Sequence, residues 1–243
     1  MSALIGARFN GPAASANGGY ACGVFAGLVQ GPAAVTLHVP PPLGVPLEVE
    51  RGARRTHVLH CGEPVATVAA AADLGPVVPA VGARAAEAAH AGFAGRAFHP
   101  FPSCFVCGLD RADGLNLTPG PVPDAPGTVA CVWRPDSSVA GPDGMVRPEV
   151  VWAALDCPGG WTGDPARQAR VLGRMAARIG ARPSAGDVCV LVARSEPVRG
   201  RTVTSHTALY RDGALLASAT AIWIAVRSGD VLPDGAVPAT APA

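Results

Sequence analysis

Alternating apolar and polar positions mark a first set of strands in the amino-terminal third of the chain. An apolar, β-branched run (residues 33–39) precedes the segment VPLEVERG (residues 45–52), in which valine and leucine alternate with glutamate. This alternation predicts strands with one buried face. Residues 54–70 then have the pattern of a hairpin. Its turn is Cys61-Gly62-Glu63-Pro64, where glycine and proline supply the turn geometry.

A second set of strands with the same order follows in the carboxy-terminal third. The apolar strand DVCVLVA (residues 187–193) precedes a strand and a hairpin over residues 197–226, with Arg211-Asp212-Gly213 at the turn. Each set follows a stretch of small apolar residues at helical spacing, SANGGYACGVFAGL (residues 15–28) and RPEVVWAALD (residues 147–156). The pattern therefore predicts an internal repeat in an α+β fold, a helix followed by antiparallel strands, occurring twice.

The remaining segments are interpreted as connections. Residues 76–103 are rich in alanine, glycine and proline, and include GARAAEAAHAGFAG, which favours a short helix. Residues 164–182 form an arginine-rich amphipathic segment opened by Asp164-Pro165, which predicts a solvated helix. The final residues lack periodicity and predict a disordered tail. The predicted units are residues 1–80 (first repeat), 81–103 (connector), 104–228 (second repeat) and 229–243 (tail).

Composition narrows the class of partners. The 243 residues carry a formal net charge of +1 and only 15% charged residues, all the cations being arginine, so a nucleic-acid partner is not expected. No apolar stretch approaches the ~20 residues of a membrane helix, and no signal peptide is evident. The chain has seven cysteines, an odd number, and all but one pair are scattered along the sequence. This fits a reducing cytoplasm better than a disulfide framework.

Three motifs resemble known thioester-cleaving enzymes. NGGY followed by a strand and Pro-Leu-Gly is similar to the first half of medium-chain-type acyl-CoA thioesterases. CFVCGLDRADGLNL (residues 104–117) is similar to the opening of thioesterases of the phenylacetate-pathway type, and PEVVWAALD (residues 148–156) resembles their central helix. The resemblance implies a double hotdog fold, in which each of two fused repeats wraps an antiparallel sheet around a helix.

The resemblance also implies a composite active site shared by the two repeats. One helix start supplies backbone N–H groups for the thioester carbonyl, and the other helix supplies a carboxylate seven residues after its second glycine. Gly18 and Gly19 open the first helix, but Ala26 stands at the acid position. In the second helix Pro148-Glu149 replaces the glycine pair, and Asp156 stands at the acid position. We therefore expect one site, with Gly18 and Gly19 polarising the carbonyl and Asp156 acting as base or nucleophile.

Further site residues are weaker candidates. Asn17 is interpreted either as a helix N-cap or as a residue that orients the carbonyl or the attacking water. Alternation on the second hairpin sends His206 to one face and Ser205 to the other. The candidate substrate-binding residues are Tyr20, Glu149, Trp152 and His206. The candidate contacts for coenzyme A phosphates are Arg147, Arg194, Arg199 and Arg201.

A metal site is not expected from the sequence. Cys104 and Cys107, with His99 upstream, have the right chemistry, but a structural zinc site needs four ligands and no second Cys-x-x-Cys occurs. The pair is instead assigned to a tight turn with both thiols reduced. We expect no metal or other cofactor.

The function predicted from the resemblance is hydrolysis of an acyl-CoA thioester by a protein able to form homodimers. The first alternative is an acyl-CoA-binding or scaffold protein without turnover, because the second helix has lost its glycines. A hydratase or dehydratase ranks last, because no histidine lies near either helix start. The step from fold to activity is an analogy.

Overall fold

The computed structural model describes residues 2–163 and 168–226. Within them, one antiparallel sheet contains all the strands. The strands are β1 (Ser2–Ala3), β2 (Ala33–Leu37), β3 (Leu47–Arg51), β4 (Thr56–His60), β5 (Glu63–Ala70), β6 (Gly120–Pro121), β7 (Thr128–Trp133), β8 (Arg170–Ile179), β9 (Cys189–Ser195), β10 (Thr202–Arg211) and β11 (Ala214–Ala225). Their order across the sheet is β1-β3-β4-β5-β2-β8-β11-β10-β9-β7-β6.

Three α-helices accompany this sheet in the described residues: α1 (Gly18–Ala26), α2 (Ala83–Ala89) and α3 (Pro148–Gly160). The order helix, strand, strand, hairpin occurs twice, as α1-β2-β3-β4-β5 and as α3-β8-β9-β10-β11. The strand order β2-β5-β4-β3 in the first half corresponds to β8-β11-β10-β9 in the second. The two halves meet where β2 pairs with β8, Ala33 opposite Ala177 and Thr36 opposite Arg174.

Both predicted hairpin turns are confirmed. Cys61 and Gly62 connect β4 to β5 with φ values of 52° and 81°, and Asp212 and Gly213 connect β10 to β11 with φ values of 50° and 78°. Two consecutive residues with positive φ are typical of the type I′ turn, which matches the twist of antiparallel strands. The first turn is shorter than predicted, because Glu63 already belongs to β5.

The helix predicted within residues 164–182 is wrong, because Arg170–Ile179 form the central strand β8. Its start signal, Asp164-Pro165, lies outside the described residues. Arg170, Arg174 and Arg178 are four residues apart, a spacing that is compatible with one face of a helix and with one face of a regular strand. In β8 an irregularity at Gly173 reverses the alternation, so that Arg174 and Arg178 are exposed while Arg170 lines the cavity side. Pairing decided between the two structures, since β8 is bonded to β2 on one edge and to β11 on the other.

Both central helices pack on the same large core. Phe25 of α1 and Leu155 of α3 are fully buried in one cluster with Val35, Met175 and Leu191 from the sheet. The helices cross in antiparallel directions, since Gly19 faces Asp156 whereas Gly23, one turn later, faces Glu149. This core places the start of α1 beside the second half of α3.

The predicted connector includes the short helix α2, which covers part of the other face of the sheet. Ala86 of α2 and Val78 before it are buried against Val192 and Tyr210. The Tyr210 hydroxyl donates a hydrogen bond to the Val78 carbonyl at 2.5 Å. No helix among the described residues is long and apolar enough to cross a membrane.

Candidate active site between the two central helices

Asp156 is fixed by hydrogen bonds from the start of the other helix. The Gly19 N–H donates to Asp156 Oδ2 at 2.9 Å, and Asn17 Nδ2 donates to the same oxygen at 3.2 Å. Asp156 is only 2% exposed, and it lies inside α3 rather than at its end. The structure therefore brings together two groups that are 137 residues apart in the sequence.

Glycine at position 19 is required by this contact. A Cβ added there would lie 2.3 Å from Asp156 Cβ and 2.9 Å from the Trp152 carbonyl oxygen. Such distances are far below the ~3.5–4.0 Å of ordinary carbon contacts. From the sequence, this glycine is explained by the room that an acyl carbonyl needs. The structure adds a second reason, because α3 approaches the α1 backbone closely at Gly19.

The other Asp156 oxygen, Oδ1, is buried and has no hydrogen-bond partner among the described residues. The Gly18 N–H likewise makes no hydrogen bond to a described residue. Gly18 is the first residue of α1, where backbone N–H groups have no partner within the helix and the partial charge is positive. One acceptor and one donor thus remain without a hydrogen-bond partner among the described residues.

Gly18 and Asp156 both line a cavity of about 360 Å³. This volume is typical of small-molecule sites. The apolar walls include Leu37, Phe101, Trp161, Leu172, Trp223 and Ile224. An apolar cavity that ends on a few polar groups is suited to an acyl chain attached to a reactive carbonyl.

Burial changes the acid chemistry of Asp156. Desolvation raises the pKa of its carboxyl group to about 7, although the hydrogen bond from Gly19 acts in the opposite direction. The carboxyl group thus exchanges protons near neutral pH, which is the property required of a general base.

Asn17 is the N-cap of α1 and also contacts Asp156, while its role in orienting the carbonyl or the attacking water stays a prediction. Its side-chain Oδ1 accepts a hydrogen bond from the Tyr20 N–H at 2.9 Å and so caps α1. Its Nδ2 donates to Asp156 and also faces Cys104 Sγ at 3.8 Å and Cys157 Sγ at 3.6 Å. The residue that caps α1 therefore also fixes the position of the Asp156 carboxylate.

None of the four candidate substrate-binding residues lies among those that line the cavity. The Tyr20 ring stacks on Phe9 with 3.9 Å between centroids, and Trp152 is 4% exposed in the core between the helices. Glu149 pairs with Arg147 at 3.7 Å. His206 contacts Glu196 at 3.0 Å and Thr220 at 2.9 Å.

The strand position next to His206 faces α3 instead. A Cβ on Gly159 of α3 would lie 2.3 Å from Ser205 Oγ, and this oxygen accepts a hydrogen bond from Trp223 Nε1 at 2.9 Å. The alternation on β10 separates Ser205 and His206 as the sequence predicts. The residue on the helix side is the serine.

Cys157 and Arg170 are among the cavity residues that sequence reasoning missed. Arg170 was assigned to a solvated helix, yet its half-buried guanidinium lines the cavity, and burial lowers its pKa. Of the four arginines expected to contact phosphates, only Arg201 is among the cavity residues. No local pattern marks Arg170, because its place depends on β8 being a central strand.

Comparison with known proteins supports the fold. The TesB protein of Mycobacterium avium subspecies paratuberculosis superposes with a TM-score of 0.57 at 15% identity, over 89% of both chains. The chain has the double hotdog fold. This confirms the predicted fold class. At this identity the likeness concerns the fold alone.

Shorter neighbours match about half of the double hotdog. The Escherichia coli PaaI protein of the phenylacetic acid degradation operon aligns at 10% identity and a TM-score of 0.42, over 46% of this chain and 81% of its own. A Streptococcus mutans protein solved with acetyl-CoA aligns at 13% identity and a TM-score of 0.39, over 41% and 82%. No family model and no curated protein matches the sequence.

Proposed function

We propose that this protein hydrolyses acyl-CoA thioesters in one composite site between the two halves of the double hotdog. One observation carries the proposal: Asp156 Oδ2 is held by the Gly19 amide, while Oδ1 and the Gly18 N–H, which belong to two residues that line the same cavity, make no hydrogen bond to a described residue. Hydrolysis needs one acceptor for a water proton and one donor for the developing oxyanion, and these two groups supply them.

The chemistry divides between the two helices. Gly18 N–H donates to the thioester oxygen, and Asp156 Oδ1 accepts a proton as water attacks the carbonyl carbon. The tetrahedral intermediate then collapses, the carbon–sulfur bond breaks, and the thiolate of coenzyme A takes up the proton held by Asp156. Gly19 and Asn17 position the carboxylate and do not touch the substrate.

The start of α3 and the end of α1 lack the groups that a second site would need, which supports a single site for each chain. Pro148 occupies the first position of α3, where Gly18 stands in α1, and proline has no N–H to donate. Ala26 stands where an acid would have to face this helix start. The reciprocal site therefore lacks both its donor and its base.

The function is tested by incubating the purified chain with acyl-CoAs of increasing chain length and measuring free coenzyme A by chromatography. We expect Asp156→Asn to lower kcat/KM by about 10²–10⁴. The asparagine carbonyl can still accept from Gly19 and Asn17, so the fold should persist. Glu87→Gln, an exposed acid on α2, is the matched control. Binding without release of coenzyme A by the wild type would refute hydrolysis and favour the acyl-CoA-binding alternative.

The donor is tested with a matched pair at Gly18. Both Gly18→Ala and Gly18→Pro add a Cβ near Leu172, at 2.8 Å from its Cβ, but only proline also removes the N–H. Proline suits the first position of a helix, and the ψ of 130° at Asn17 is compatible with a following proline. We expect Gly18→Pro to be about 10²–10³ slower than Gly18→Ala. Equal rates would exclude the Gly18 amide as the donor.

A further inference from the structure

Three cysteines from separate parts of the chain meet beside this site. Cys104 and Cys107 lie in the turn after the connector, and Cys157 lies in α3. All three are buried free thiols that line the cavity. Their sulfur atoms all lie within 4.8 Å of one another, and those of Cys104 and Cys157 are 3.8 Å apart.

The spacing of the sulfurs fits a tetrahedral zinc ion. With Zn–S bonds of about 2.3 Å, neighbouring sulfurs in a tetrahedral site are about 3.8 Å apart. The Cys104–Cys157 separation of 3.8 Å has this value, and bringing Cys107 to the same distance requires a movement of at most about 1 Å. Three sulfurs in a group are characteristic of a soft cation site.

The turn around Cys104 has features that a thiolate ligand requires. The Val106 N–H donates to Cys104 Sγ at 3.4 Å, and Asn17 Nδ2 approaches the sulfurs of Cys104 and Cys157. The Gly108 N–H closes the turn on the Cys104 carbonyl at 2.9 Å, and a Cβ at Gly108 would lie 2.3 Å from the Pro102 carbonyl oxygen. The turn thus directs polar hydrogens at the sulfurs.

His99 is placed to support such a site rather than to bind the ion. Its Nε2 is 3.1 Å from the Cys107 carbonyl oxygen, and its Nδ1 accepts from the Phe101 N–H at 3.0 Å. With both ring nitrogens engaged, the imidazole fixes the backbone of a ligand residue, as outer-shell groups do in metal sites.

We propose that Cys104, Cys107 and Cys157 bind one Zn²⁺ ion whose fourth position opens to the cavity. Zinc sites with three protein ligands and one exchangeable position are an established type. The proposal does not depend on thioester hydrolysis, because the sulfur geometry alone carries it. The competing arrangement is a disulfide between two of the thiols, which an added disulfide oxidant would form by accepting two electrons and two protons.

The test is direct metal binding by the reduced full-length chain. We expect one zinc per chain by elemental analysis, and competition with a chromogenic zinc chelator should show the same stoichiometry. Cobalt substitution should give a thiolate-to-metal charge-transfer band. Cys104→Ala and Cys157→Ala should both lose the ion, whereas Cys131→Ala, a buried cysteine on β7, should retain it. Circular dichroism of each variant establishes whether it is folded.

Two results would overturn the proposal, and neither requires a variant to fold. The first is a reduced wild type that binds no zinc when the ion is supplied in excess. The second is binding without the thiolate-to-cobalt band, which would place the ion elsewhere. A disulfide found in the protein as purified is reduced before the measurement, so that the first result is always read on free thiols. Coenzyme A release, measured separately, tests the hydrolase independently of the metal.

Discussion

Replacing Gly23 by alanine tests whether close contact between the central helices requires glycine. A Cβ at Gly23 would lie 2.6 Å from Glu149 Cα and 2.8 Å from Trp152 Cβ. Carbon atoms prefer separations of ~3.5–4.0 Å, so α1 and α3 would have to move apart by about 1 Å. Unlike a flexible side-chain end, the Glu149 Cα belongs to the backbone of a buried helix and cannot rotate away.

Two opposing contributions decide how Gly23→Ala changes the free energy of unfolding. Overpacking a core costs about 1–3 kcal/mol, and the backbone contact places this position toward the upper end. Alanine in place of a helical glycine returns about 1 kcal/mol of helix propensity. The expected net loss in the free energy of unfolding is therefore about 1–2 kcal/mol. For a chain of this size that corresponds to a fall in Tm of roughly 2–8 °C.

The assay is thermal and urea unfolding followed by circular dichroism, with Gly27→Ala, at the C-cap of the same helix, as the control. Gly27 is exposed, has φ −61°, and its nearest contact for an added Cβ is the Val24 carbonyl oxygen at 3.3 Å. Alanine there should be neutral or stabilising by up to about 1 kcal/mol. If Gly23→Ala is as stable as Gly27→Ala, the contact between the helices does not explain this glycine.

Two further outcomes are expected. Asn17→Ala removes both the cap on Tyr20 and a hydrogen bond to Asp156, and should lower the free energy of unfolding by about 1–3 kcal/mol in urea titrations; unchanged stability would contradict the capping role. The hydrogen bond from Arg211 holds the pKa of Asp187 below its usual range. The contribution of this hydrogen bond to the free energy of unfolding should therefore be present above about pH 4 and disappear as the pH falls and Asp187 takes up a proton. Asp187→Asn should lower Tm slightly at neutral pH and not at acid pH, and a difference that persists at both would exclude this linkage.

Much of the local structure could be predicted from the sequence because its causes are local. The pair Asp212-Gly213 specifies its turn through residues that tolerate positive φ. The small apolar stretches predict α1 and α3 through helical spacing, whereas the pairing of Gly19 with Asp156 was implied by the resemblance to thioesterases. The segment of β8 shows the limit of this reasoning. Its arginines satisfy two periodicities at once, and only hydrogen bonding with β2 and β11 selected the strand.

The sequence by itself determined the two central helices and the two hairpin turns, since each depends on residues close together in the chain. The candidate donor and acid were implied by the resemblance to thioesterases. Only the tertiary structure decided what these groups touch. It placed the Gly19 amide on Asp156, gave the Gly18 amide no partner among the residues that the structure describes, and put Glu149 and His206 outside the cavity lining. It also brought Cys157 to Cys104, 53 residues earlier. Such contacts arise from the packing of whole helices and strands, and no local pattern records the distance between surfaces that meet only after folding.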